Sequence, residues 1–214
     1  PNHQLTRIEE QDWVRLTQNQ FSPIRISTRL WIVPTWHVPP ETQAINIILD
    51  PGLAFGTGSH PTTRLCLAWL DRHLQPGTRM IDYGCGSGIL AIAAMKLGAR
   101  QAIGIDIDPQ AVLTSRENAG QNDVQAVFLE ADAPRPEAAE LVVANILSNP
   151  LIVLAPLLAE LTQPGGTIVL SGILVPQSEK VAQVYRRWYE MSPVIEEEGW
   201  VLLSGRRRVG GQSP

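Results

Sequence analysis

Asp82, Asp106, Asp132 and Asn145 are the residues most suited to chemistry, because each lies at or a few residues past the end of an apolar run. Asp82 leads into Tyr83-Gly84-Cys85-Gly86-Ser87-Gly88. Glycines at every second position let the backbone approach a flat or charged ligand, since no Cβ holds it off. Ile89 stands where the dinucleotide fingerprint GxGxxG needs its third glycine, so a phosphate-binding turn of that type is not expected. Asp106 lies about 18 residues beyond Gly88, where a carboxylate can accept both hydroxyl hydrogens of a ribose. A strand-end cap is the plainer role. Asp108, directly before Pro109, is better placed for that, which leaves Asp106 free for a ligand. Asp132 either accepts from an adenine amino group or is a solvated loop acid, and His60 is either an acid-base group or a capping residue.

These positions need a sheet to gather them. Thr6 to Gln18 suits an amphipathic helix, and Ile24–Ile26 with Leu30–Val33 suits a short hairpin. Pro34, Pro39 and Pro40 break regular structure, which puts a boundary near Glu41. Strands are expected at Ile45–Leu49, Met80–Asp82, Ala102–Asp106, Val124–Leu129, Leu141–Asn145 and Thr167–Leu170. Helices fall between them at Pro61–Leu74, Ile89–Leu97, from Pro109, and at Leu151–Leu161, with a last one at Gln177–Tyr189. Val194–Glu196 and Trp200–Leu203 are too close for a helical crossover and must pair antiparallel. The expected fold is α/β: a doubly wound, mostly parallel seven-stranded sheet with a C-terminal antiparallel hairpin and a short N-terminal helix and hairpin extension. Residues 1–42 form the extension and 43–214 the main domain.

Composition narrows the partners. The 214 residues carry a net charge of -4, so there is no electrostatic footprint for nucleic acid. Cys66 and Cys85 are the two cysteines, the four histidines show no metal-ligand spacing, and no apolar run is long enough to span a bilayer. A cytoplasmic protein with free thiols, no metal and no membrane partner is expected, and as a monomer. The start at Pro1 suggests a fragment or processed product.

Asp-x-Gly-x-Gly-x-Gly, the acid ending the next strand and the terminal hairpin together resemble the class I S-adenosylmethionine-dependent methyltransferases. Leu49 to Thr63, Ile81 to Leu90, Gly104 to Pro109 and Val143 to Leu147 are similar to the PrmA family, which methylates ribosomal large-subunit protein eleven. The resemblance implies that Thr63, Gly84, Asp106 and Asn145 contact S-adenosylmethionine, and that the loop of Phe55, Gly56, Thr57 and Gly58 covers it. Asp82, Gly86 and Asp132 complete the expected cofactor set. It also implies a separate substrate-recognition domain ahead of this chain. Other readings are methylation of another protein or small amine, or a cofactor-binding module without catalysis.

Asn145 is the expected catalytic residue. Methyl transfer needs a neutral amine aimed at the methyl carbon, so orientation supplies much of the rate. Neutralising a lysine at pH 7 costs roughly 4 to 5 kcal/mol, against about 1 to 1.5 for an α-amine. Asn145 and neighbouring backbone carbonyls could accept amine hydrogens. Asn145-Ile146-Leu147 lacks the proline pair and aromatic of the Asn-Pro-Pro-aromatic motif, so a stacking nucleic-acid base is less expected.

Overall fold

The structure, a computed structural model, describes residues 21–50 and 58–210. The helix expected over Thr6–Gln18 lies outside them. Strands β1 (Ile24–Arg25), β2 (Leu30–Val33) and β3 (Ile45–Ile48) form a small sheet of their own. β1 and β2 are the expected antiparallel hairpin, whereas β3 runs parallel to β2, with Leu30 opposite Ile45 and Val33 opposite Ile48. β3 therefore pairs back across position 42 and does not enter the large sheet. The buried side chain of Asn122 bonds both backbone groups of Ile48, accepting from its N–H at 2.8 Å and donating to its carbonyl at 2.6 Å. One amide side chain thus does for β3 what a neighbouring strand would.

The large sheet contains β4 (Arg79–Tyr83), β5 (Gln101–Asp106), β6 (Val127–Glu130), β7 (Ala139–Asn145), β8 (Thr162–Leu174), β9 (Tyr189–Met191), β10 (Ile195–Glu197) and β11 (Trp200–Arg207). Seven follow the path β10-β11-β8-β7-β4-β5-β6, and β9 pairs with β11 off that path. β11 is antiparallel to β8, β9 and β10, while the pairs from β8 to β6 are parallel. Helices α1 (Pro61–His73), α2 (Ile89–Lys96), α3 (Pro109–Gln121), α4 (Ser148–Leu161) and α5 (Ser178–Tyr185) cover it. Leu65, Leu70, Ile92 and Val112 join Ile32 and Ile47 in one core cluster; Leu151, Leu158, Val181 and Tyr185 join Ile81 and Val142 in the other. The central strands are buried on both faces, which is why their sequences are apolar runs.

Several boundaries differ from expectation: β11 runs on to Arg207, α4 begins at Ser148 and β7 at Ala139. The last helix stops at Tyr185, and Tyr189 begins β9 instead, its hydroxyl donating to Thr162 Oγ1 at 2.8 Å. Tyr185, Trp188 and Tyr189 keep helical spacing across a turn, so periodicity overran the true end. β8 begins at Thr162 and takes in Pro164-Gly165-Gly166, because the register jumps from Ala139 opposite Thr162 to Leu141 opposite Thr167 and the intervening residues bulge. β6 starts at Val127, later than expected.

Candidate functional site

The parallel strands bring their C-terminal ends to one edge. Tyr83 pairs with Ile105, Asp106 with Glu130, and Asn145 with Ser171. Open α/β sheets bind ligands there.

The glycine-rich turn is built at this edge by backbone hydrogen bonds. The amides of Gly84 and Cys85 both donate to the Ile105 carbonyl, at 2.7 and 3.1 Å. Gly84 takes φ 77°, and a Cβ on it would lie 2.3 Å from Ile146 Cγ2. Glycine is required at 84 by contact with the residue after Asn145, quite apart from any ligand. Gly88, with φ 78°, begins α2.

Asp106 is half-buried but not free as expected. Its Oδ2 accepts from the Gly86 amide at 2.8 Å and its Oδ1 from the Asp108 amide at 3.0 Å. Asp108 does cap α3, accepting from the Gln110 amide at 2.9 Å. Asp106 therefore ties the glycine turn to the end of β5, and its carboxylate keeps further lone pairs for hydroxyl hydrogens. The Ala131 amide donates to the Asp106 carbonyl at 2.9 Å, which brings exposed Asp132 to the same edge.

Asp82 sits inside the protein, 0% exposed, and neither carboxylate oxygen has a hydrogen-bond partner. Burial raises its pKa to about 7; the Ala91 amide in the first turn of α2 opposes this, and the charge of Asp106 adds to it. The Ala91 amide acts as a nearby dipole, since neither oxygen meets hydrogen-bond geometry. Cys66 and Cys85, both buried free thiols, are pushed far up by burial and by the charge of Asp82, so neither is a thiolate nucleophile.

Asn145 and Thr63 meet here. Asn145 Nδ2 donates to Thr63 Oγ1 at 3.4 Å, joining the end of β7 to the first turn of α1. Thr63 is 1% exposed, while Asn145 is half-buried. Asn145 does not cap α4, which begins from Leu147 with no side-chain cap from Ser148 or Asn149. His60 caps α1: its Nδ1 lies 3.3 Å from the Thr62 amide and 2.8 Å from Thr62 Oγ1. The ring also packs edge-on against Trp200, with centroids 4.7 Å apart.

Phe55, Gly56 and Thr57 lie outside the described residues. Of the remaining expected residues, Thr63, Gly84, Gly86, Asp106, Asp132 and Asn145 gather at one sheet edge, and Asp82 lies beneath the turn. Two further side chains stand at this edge without having been expected there: Ile107, 87% exposed between Asp106 and Asp108, and Leu147, 67% exposed just past Asn145. An apolar residue flanked by two acids outside any periodic run was the available signal for Ile107. Elsewhere, a groove of about 290 Å³ lined by Glu179, Arg186, Met191, Val194 and Arg208 shares no residue with this edge. Among the described residues no cluster of metal-ligating side chains occurs, and no helix is long and apolar enough to cross a membrane.

The reversed β11 within an otherwise parallel path separates this sheet from those of dinucleotide-binding dehydrogenases and places it with the class I methyltransferases. A solved RNA methyltransferase from Salinibacter ruber, in complex with S-adenosyl-L-homocysteine, shares the fold with a TM-score of 0.56 and 22% identity, over 69% of this chain and 92% of its own. The chain belongs to the ribosomal protein L11 methyltransferase (PrmA) family, which it matches over residues 1–208. It is 57% identical to the ribosomal protein L11 methyltransferase of Nitrosomonas europaea, over 99% of this chain and 71% of that protein. Against that of Chromobacterium violaceum the identity is 59%, over 97% and 70%. The crystal structure of the ribosomal protein L11 methylase of Lactobacillus delbrueckii subsp. bulgaricus aligns with a TM-score of 0.81 and 33% identity, covering 88% of this chain and all of that one.

Proposed function

We propose that this protein transfers methyl groups from S-adenosylmethionine to amino groups, lysine or N-terminal, of ribosomal protein L11 in the cytoplasm. The observation that carries the site assignment is the Asn145–Thr63 hydrogen bond beside the Gly86–Asp106 bond, which puts an amide and a carboxylate at one sheet edge. Residues 43–214 carry the chemistry, and residues 1–42 lead into them.

The edge suits this cofactor better than a phosphorylated one. Asp106 places a carboxylate at the edge and retains lone pairs for ribose hydroxyls, while Asp82 lies buried beneath the turn. Ile107 offers an exposed apolar face for a flat ring. Gly84 and Gly86 present backbone, and Asp132 is within the same edge for an amino group. When bound, S-adenosylmethionine supplies a methyl on a sulfonium, which the amine lone pair takes as the carbon–sulfur bond breaks.

Asn145 does the orienting. With Nδ2 turned to Thr63, its Oδ1 is the atom left to accept a hydrogen from the incoming amine. Holding that hydrogen fixes the direction of the nitrogen lone pair. Ile146 and Leu147 make an apolar shoulder that disfavours the charged ammonium form of the amine. Tritiated-methyl transfer to purified L11 by the full chain tests the reading: Asp106→Ala and Asn145→Ala should each abolish most of it, and undiminished transfer in both would overturn the site assignment.

A further inference from the structure

We propose that Arg64 is a positioning residue for methyl transfer, holding the first turn of α1 in place against Asn145 by clamping it to the C-terminal hairpin. The proposal rests on the reading of Thr63 and Asn145 given above. Arg64 follows Thr63 directly, and its guanidinium joins two segments, the lead-in to α1 and the C-terminal hairpin. Nε donates to Glu197 Oε1 at 2.8 Å, Nη2 lies 2.7 Å from Glu197 and 2.6 Å from Glu198, and Nη1 donates to the Ser59 carbonyl.

A lone exposed ion pair contributes little, but this one differs in geometry. The planar guanidinium fork engages two adjacent carboxylates and a carbonyl at once, which fixes direction as well as distance. The hairpin turn is shaped for it: Glu198 and Gly199 both take positive φ, 51° and 78°, as a tight two-residue turn between β10 and β11 requires. That turn brings Glu197 and Glu198 to the same cation. The His60–Trp200 ring contact joins the same two segments a second time.

The first turn of α1 buries Thr62 and Thr63 but has only a modest cap, and the clamp adds direction to it. Its cap is a histidine nitrogen 3.3 Å from the Thr62 amide, without the carboxylate or hydroxyl oxygen that caps best. The peptide between Thr63 and Arg64 carries any shift of the guanidinium to Thr63 Oγ1, and so to Asn145. Misplacing a catalytic group by about 1 Å can cost on the order of a hundredfold in rate.

The test compares Arg64→Met, Arg64→Lys and the pair Glu197→Gln/Glu198→Gln in the full chain. Binding of S-adenosylhomocysteine is followed by calorimetry and methyl transfer to L11 by steady-state kinetics, well below the unfolding temperature. Arg64→Met and the hairpin pair should each lower kcat about two- to fivefold, as Thr63→Val does, and weaken cofactor-product binding several-fold, with KM for L11 unchanged. Combining them should add nothing further, and Arg64→Lys should recover part of the loss. Glu197 and Glu198 lie at the protein surface, so the hairpin pair reads the clamp even where Arg64→Met folds poorly. Parental kcat and binding in the hairpin pair and Arg64→Met, alongside impaired Thr63→Val and Asn145→Ala, would overturn the clamp alone. Parental values in Thr63→Val and Asn145→Ala as well would overturn the site reading and the clamp with it.

Discussion

Asn145 Nδ2 and Thr63 Oγ1 are 3.4 Å apart, although 82 residues separate them in the chain. The contact links the end of a central strand to the first turn of a helix that precedes the whole parallel sheet. Asn145→Ala should lower kcat for methyl transfer by roughly a hundredfold while changing cofactor binding only several-fold, since its proposed role is to aim the amine. Thr63→Val removes only the hydroxyl. A bond this long is worth about 0.5 to 1 kcal/mol, so a two- to fivefold loss of kcat is expected in steady-state assays.

Asp82 predicts a pH dependence of stability. Its pKa is raised to about 7 in the folded protein, against an ordinary 3.8, so between these values the folded state holds a proton that the unfolded chain has released. This contribution is fully present below about pH 4, declines as pH rises, and is lost above about 7. Asp82→Asn cannot ionise, so it should match the parent near pH 4 and exceed it at pH 8 by on the order of 4 kcal/mol. Denaturant titrations of both proteins across that range read the gap. A gap that is constant with pH would contradict the buried, unpartnered carboxylate.

Gly84 should not tolerate a side chain. Alanine there combines a positive φ with a Cβ 2.3 Å from Ile146 Cγ2, costing about 2 to 4 kcal/mol in denaturant unfolding. Adding Ile146→Ala removes the clash but not the backbone strain. The double variant should therefore recover part of what Gly84→Ala loses, once the cost of truncating Ile146 alone is subtracted.

Ile107 separates function from stability. At 87% exposure it packs against little, so Ile107→Ser should leave unfolding free energy within about 0.5 kcal/mol. If it lies against the adenine, losing that apolar contact should weaken S-adenosylmethionine binding about tenfold in calorimetry.

Much of this fold was legible because parallel strands buried on both faces leave apolar runs, and because Pro61, Asp108-Pro109 and Gly98 mark helix ends locally. The gathering of candidate residues at one sheet edge was legible where an acid or amide closes such a run, as at Asp106 and Asn145. What stayed hidden depended on long-range contacts. Asp106 binding the Gly86 amide, Asn122 standing in for a strand beside Ile48, and Arg64 reaching Glu197 leave no periodic trace. β9 was hidden for the opposite reason, since Tyr185, Trp188 and Tyr189 carry a helical spacing through a turn.

The central claim, that Asn145 directs methyl transfer to L11 amines, is tested most directly by the intact mass of purified L11 after incubation with S-adenosylmethionine and the full chain. Successive methyl-sized mass increments with the parent protein, nearly absent with Asn145→Ala at cofactor concentrations that saturate both, are expected. An unchanged L11 mass with the parent, or equal increments with Asn145→Ala, would contradict the account.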